Sequence, residues 1–184
     1  MTRIIAGTAG GYRLVVADNA TRPTSDRVRE ALFSSLTCML DLRGTRVLDL
    51  YAGSGAVGLE ALSRGAEHAL LVESDLKAAD AIARNIESVD LPGAVLRRHA
   101  VEKLAATAAD KPYEVIFADP PYQLPAAVLR SALVQLHRQG WFAVDAVVVV
   151  ERSSRDLPWV WPQPWEPVQS RQYGDATLWY GRRP

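Results

Sequence analysis

Asp119, Pro120, Pro121 and Tyr122 follow directly on the apolar run Val115 to Ala118. Two consecutive prolines remove two backbone donors and stiffen the chain, so the Asp119 carboxylate and the Pro120 carbonyl project as fixed acceptors. Such a pair suits a donor of two hydrogens, the amino group on a nucleic-acid base. That nitrogen is a poor nucleophile because its lone pair is delocalised into the ring. Two acceptors gripping its hydrogens favour a pyramidal, more reactive geometry. Tyr122 offers a face on which a base turned out of its helix can stack, a contact worth about 1–3 kcal/mol. The tetrapeptide is thus the expected catalytic group, and the chemistry is transfer of a methyl group to an amine. Methylation of a ring carbon would need a cysteine nucleophile, and the single cysteine, Cys38, lies far upstream.

A methyl donor needs its own site. The apolar run Val47-Leu48-Asp49-Leu50-Tyr51 leads into Ala52-Gly53-Ser54-Gly55-Ala56-Val57-Gly58, and a helix-like segment follows to Gly65. Glycines at a strand-to-helix turn permit close approach of a ligand, and the helix start supplies unpaired amides. Gly53, Gly55 and Gly58 also fit the dinucleotide fingerprint, with Glu73 where a ribose-binding acid belongs, so a nicotinamide enzyme competes. Asp49, four residues before Gly53, tips the balance, since a carboxylate at the strand end suits a cationic amino-acid ligand better than a pyrophosphate. The donor that fits is S-adenosylmethionine, held by Asp49, Tyr51, Gly53, Gly55 and Glu73.

Both loops must sit on one sheet. Short apolar runs (Val47 to Tyr51, Ala69 to Glu73, Ala94 to Leu96, Val115 to Ala118, Ala146 to Val150) alternate with segments of helical period. Leu76, Ala79, Ile82, Ile86 and Val89 share one helix face; Val128, Leu129, Ala132, Leu133 and Leu136 share another. Repeated β-α units of this kind predict an α/β, doubly wound, mostly parallel sheet. Val168 to Tyr173 and Thr177 to Tyr180, facing each other across Gly174-Asp175, predict a closing antiparallel hairpin. Between them, Trp159, Trp161 and Trp165 alternate with prolines, which makes residues 157–167 a loop or an edge whose aromatics cap the sheet or stack on bases. Upstream, Arg3 to Ala6 and Arg13 to Val16 flank glycines and read as a small hairpin, and a helix capped by Thr24 or Ser25 presents Val28, Leu32, Leu36 and Leu40 on one face. Residues 1–20 are expected to form an N-terminal hairpin extension, a candidate RNA contact, and residues 21–184 the catalytic domain.

The chain has 184 residues with 21 basic against 21 acidic side chains, which argues against holding naked nucleic acid by bulk electrostatics alone. Residues 1–46 are locally basic, with seven arginines (Arg3, Arg13, Arg22, Arg27, Arg29, Arg43, Arg46) against four acids, either a phosphate-facing patch or a solvated face. No Cys/His cluster has metal-ligand spacing, and no run approaches the roughly 20 apolar residues of a membrane span, so a metal-free, cytoplasmic, monomeric protein is expected.

The segments quoted so far, with the block from Arg22 to Phe33 (RPTSDRVREALF) and that from Gly58 to Ala66 (GLEALSRGA), closely resemble the RsmD family of small-subunit ribosomal RNA guanine methyltransferases. The resemblance spans nearly the whole chain, and the RPTSDRVREALF block is its most specific part. It implies a Rossmann-like class I S-adenosylmethionine-dependent fold of seven strands. It also implies methylation of the 2-amino group of one guanine in 16S rRNA, within an assembled or assembling small subunit. By position it places Ala100 near the donor's adenine and brings Arg22 and Thr24 to its methionine end or to the RNA. Tyr122 stands where phenylalanine is frequent in the family, and the tyrosine form is also common in adenine amino-methyltransferases acting on DNA. That enzyme, and a catalytically silent RNA-binding module, are the alternatives.

Overall fold

The computed structural model describes residues 1–18 and 24–184. A two-stranded ladder of β1 (Thr2–Arg3) and β2 (Arg13–Leu14) precedes helix α1 (Asp26–Met39). Then come β3 (Arg46–Leu50), α2 (Ala56–Ser63), β4 (His68–Val72), α3 (Leu76–Val89), β5 (Ala94–Arg97), α4 (Val101–Ala105), β6 (Tyr113–Ala118), α5 (Ala126–Arg138) and β7 (Phe142–Ser153). An antiparallel hairpin of β8 (Glu166–Tyr173) and β9 (Ala176–Arg182) ends the chain. The main sheet has seven strands in the order β5-β4-β3-β6-β7-β9-β8. Strands β3 to β7 pair in parallel, while β9 runs antiparallel to β7 and β8 antiparallel to β9.

Alternation along the parallel strands divides the core in two. One face carries Val47, Leu71, Phe117 and Val149 against α1, α2 and α3. The other carries Leu48, Leu70, Ile116 and Val148 against α4 and α5. Trp159 and Trp165 are buried in this second face, and Trp161 packs against it with its ring about 2.7 Å from where a side chain at Gly181 would stand. The tryptophan segment therefore caps the sheet. Its prolines are tolerated because the β8 that follows is the outermost strand, where a missing donor costs the ladder little.

Several expectations shift in detail. The α1 cap is Ser25, whose hydroxyl accepts the Val28 amide, and Leu40 ends the helix as its C-cap. Leu76 and Val128 fall off the buried faces of α3 and α5 and are exposed. Strand β7 runs well beyond Ala146 to Val150 in both directions, and its Glu151–Ser153 end is held by β9 alone. Of the amino-terminal arginines, Arg29 is fully buried and donates to the Arg3 carbonyl and the Asp26 carboxylate. Arg43 pairs with Asp41, and Arg46 lies over the Tyr113 ring. Arg3 is exposed and pairs with Asp26, Arg13 and Arg27 are exposed cations of that region, and Arg22 lies outside the described residues.

The leading segment is tied down by polar contacts that recruit buried side chains of α2 and α3. Ile4 is wholly buried in the core that α1 and α2 share. The Glu60 carboxylate, also wholly buried, accepts the Ile5 and Ala6 amides at 2.7 and 3.0 Å and pairs with Arg64. Ser63 bonds the Ala6 carbonyl and the Ala9 amide. Asn85 exchanges two hydrogen bonds with Val15 and donates a third to the Ser54 carbonyl. Glu60→Ala strands two amides and a half-buried guanidinium, and is expected to cost about 3 kcal/mol in urea unfolding. Faster amide hydrogen exchange at Ile5 and Ala6 should accompany that loss.

Candidate active site

The carboxyl ends of β3, β4 and β6 open onto a cleft of about 530 Å³, within the range of small-molecule sites. It sits where the chain order reverses beside β3, the usual ligand position of open α/β sheets. One wall is the glycine loop from Ala52 to Val57; the other is the segment from Asp119 to Gln123. The two loops expected to hold donor and acceptor thus face each other across one space.

The glycine loop is shaped by backbone angles and by a buried acid. Tyr51, Gly53 and Gly55 all have positive φ, at 62°, 61° and 79°. At Gly55 a methyl group would come within 2.8 Å of the Leu71 side chain, so the helix start packs directly on β4. Asp49 is buried, and its Oδ2 accepts the Gly58 amide at 3.0 Å, fixing the first turn of α2 to β3. Burial pushes the Asp49 carboxyl up to about 8; the Gly58 amide opposes that rise, and the charges of Asp119 and Glu73 add to it. Glu73 accepts the Gly53 amide on one oxygen and the Asp75 amide on the other, each at 2.8 Å. Each of those oxygens keeps a second lone pair for a ligand hydroxyl. At Gly53 nothing lies within 4 Å of a would-be side chain, so the loop leaves open space beside Glu73.

Across the cleft, Asp119 accepts the Thr24 hydroxyl at 2.8 Å, bringing the segment before α1 to the loop that follows β6. Desolvation raises the Asp119 carboxyl above the usual range, opposed by the Thr24 hydroxyl and by the Arg152 charge. Pro120 is buried, and Tyr122 is half exposed at the mouth. Ala100 is the N-cap of α4, exposed, and not among the cleft-lining residues. Tyr51 lines the cleft, and its buried phenol is held well above the usual tyrosine range by burial.

Glu151 also lines the cleft, and it is absent from the residues expected from the sequence. Ala118 pairs with Val150, so the next residues, Asp119 and Glu151, sit side by side. Glu151 is buried, and its carboxyl is raised by desolvation first and by the Asp119 charge second. A signal for it was present: Glu151 ends an apolar run as Glu73 and Asp119 end theirs. Among the described residues no group of three or more His, Cys, Asp or Glu is placed to hold a metal ion. No described helix is long and apolar enough to cross a membrane.

A parallel five-stranded core, a glycine loop after its central strand and a reversed terminal hairpin together define the Rossmann-like fold of S-adenosylmethionine-dependent methyltransferases. The family model described as "Conserved hypothetical protein 95" matches residues 2–182. Ribosomal RNA small subunit methyltransferase D of Escherichia coli is 37% identical over 178 residues, covering 95% of this chain and 86% of that one. A putative rRNA methyltransferase of Bacillus subtilis is 37% identical over 161 residues, covering 85% of each. The solved structure of a putative methyltransferase from Escherichia coli superposes with a TM-score of 0.87 at 30% identity, covering 99% of this chain and 97% of that one. The chain belongs to the RsmD family.

Gly55→Ala forces a side chain into left-handed backbone against Leu71, which should cost at least about 1–2 kcal/mol of stability. Chemical denaturation checks this, and calorimetry should show donor binding weakened at least tenfold.

Proposed function

We propose that this protein methylates the 2-amino group of a guanine in small-subunit ribosomal RNA. The observation that carries the reading is the Asp119 carboxylate, held by Thr24, in the same cleft as the glycine loop. S-adenosylmethionine supplies an electrophilic methyl group on a sulfonium. The cleft suits that ligand in three ways: open space at Gly53, spare lone pairs on Glu73 for ribose hydroxyls, and acids that favour a cation. Gly53, Gly55, Glu73, Asp49 and Tyr51 are the proposed binding residues, with Thr24 at the junction between donor and acceptor.

Among the described residues the cleft is lined by acids and by no cation, so phosphate finds no partner there and a nucleotide enters base first, with its backbone outside. The base therefore leaves its stack, and Tyr122 at the mouth receives its face. Asp119 and the Pro120 carbonyl take the two amino hydrogens and turn the nitrogen lone pair toward the donor side. Proximity in this arrangement supplies much of the acceleration. As the nitrogen gains the methyl group it sheds one hydrogen as a proton, and the Asp119 carboxylate is placed to accept it. Phosphates outside the cleft meet the exposed Arg3 and Arg13 of the proposed RNA-contacting extension, residues 1–20, and Arg27 at the start of α1. With no net charge to hold RNA, folded subunit structure is proposed to supply the rest of the recognition. If protein-free 16S rRNA were methylated as fast as subunits, that last point would fail.

The test is transfer from labelled donor to small subunits purified from a strain lacking the gene, followed by nucleoside analysis. N2-methylguanosine supports the reading. Methyladenosine in DNA supports an adenine enzyme, and no product supports a silent RNA-binding module. Asp119→Ala should slow transfer roughly 10²–10³-fold while leaving donor affinity nearly intact; Glu73→Ala should weaken donor affinity instead.

Asp49 adds a pH signature. A cationic donor favours the ionised acid, so binding below about pH 8 should release a proton and tighten as pH rises, levelling off above that value. Calorimetry in buffers of different ionisation enthalpy measures the release directly, and an Asp49→Asn variant should lack it.

A further inference from the structure

We infer that Glu151 reads the hydrogen on ring nitrogen N1 of the target base and so selects guanine. This rests on the reading of the cleft as an amino-methylating site and deepens it. Three observations place the residue. Its register beside Asp119 follows from the Ala118–Val150 and Phe117–Val149 pairings of β6 and β7. Phe117 and Val149 share the sheet face of α1 and α2, so two residues further on Asp119 and Glu151 share it as well. Glu151 is 5% exposed, lines the cleft, and its Oε2 has no hydrogen-bond partner among the described residues.

An acid so placed has given up water and found little in return. The Thr24 hydroxyl serves both carboxyls, donating to Asp119 at 2.8 Å and reaching Glu151 as well, but one hydroxyl proton cannot satisfy two acids. The neighbouring cation, Arg152, bonds Asp156 through its Nε at 3.0 Å, and its Nη1, though buried without a partner among the described residues, does not reach the Glu151 Oε2. A buried, under-satisfied acceptor of this kind calls for a donor from the ligand.

The edge of guanine supplies one in the right place. Its 2-amino group and its N1 hydrogen are adjacent donors, and two neighbouring carboxylates match that pair. Asp119 takes the amino hydrogen and Glu151 the ring hydrogen. Adenine and cytosine place an acceptor nitrogen beside their amino group, which an ionised Glu151 would repel. A site that pairs with a donor rejects the analogue lacking it more strongly than an apolar wall can, because its own acceptor is left unpaired. Selection of the base thus lies in a strand end next to the catalytic loop, and stacking on Tyr122 need not discriminate between bases.

The protein is tested with small subunits from the strain lacking the gene, at saturating S-adenosylmethionine. Glu151→Gln keeps the size of the side chain and loses its charge. It should lower kcat/KM for subunits by roughly 10–100-fold, the effect of losing a charge-assisted hydrogen bond, while donor affinity and Tm stay near the wild-type values. Glu151→Asp, which keeps the charge, should recover part of the loss. With the wild-type protein, the acid limb of log kcat/KM against pH should approach a slope of two, since Asp119 and Glu151 must both be ionised, one to meet an amino hydrogen and the other the ring hydrogen. A Glu151→Gln variant within twofold of wild type overturns the assignment, and so does a wild-type slope of one if that variant does not fold. Absence of methylguanosine with the wild-type protein would instead overturn the reading of the cleft, whatever the variant does.

Discussion

A carboxylate withdrawn from water must be met by donors, and Asp49 is the acid on which the cleft is organised. Its bond to the Gly58 amide ties the first turn of α2 to the end of β3. That single contact sets where the glycine loop can run, and Glu73 completes it by taking the Gly53 amide from the neighbouring strand. Two acids on adjacent parallel strands thus shape a loop that has almost no side chains of its own. The arrangement is costly without a ligand, as the raised Asp49 carboxyl indicates. A bound cation would favour the ionised carboxylate and so offset part of that cost.

The same logic extends along the sheet. Strand alternation, and a register that is regular from Val115 to Ala118, put Asp49, Asp119 and Glu151 on one face at successive strand ends. Such convergence follows from parallel pairing, because every strand delivers its carboxyl end to the same rim. Opposing elements then supply partners selectively: α1 brings Thr24 to Asp119, while Arg152 leans on the cluster from the far side of β7. An acidic rim of this composition favours cations and amines and turns phosphates away.

How much of this is readable in the chain depends on the distance over which each feature is decided. The glycine loop and the Asp119 tetrapeptide are local, their strand-to-loop context is plain, and the sevenfold sheet with its Gly174-Asp175 turn follows from patterns a few residues long. Glu151 is a matter of register: nothing within β7 says that its end lies beside Asp119, and the long overhang that carries it is held by β9, a strand twenty-odd residues away in sequence. Arg29 shows the opposite failure. A charged residue one turn into a helix reads as surface, yet Arg29 is buried in the core, where the Arg3 carbonyl and Asp26 meet its Nη2 while its Nε and Nη1 find no partner among the described residues. Leu76 and Val128 fit a helical period but sit where no neighbour covers them. Ala100 matches the family by position and stands at a helix start outside the cleft lining, whereas Arg22 lies outside what the structure describes.

Asn85 fastens the leading segment at Val15 and the glycine loop at Ser54 with one amide group. With Ile4 seated in the common core as well, the first residues have no interior of their own and borrow one. They cannot be transplanted like a tag, nor trimmed without leaving a socket in the neighbouring helices. Any displacement of that segment is passed, through a single side chain, to the loop that lines the cleft.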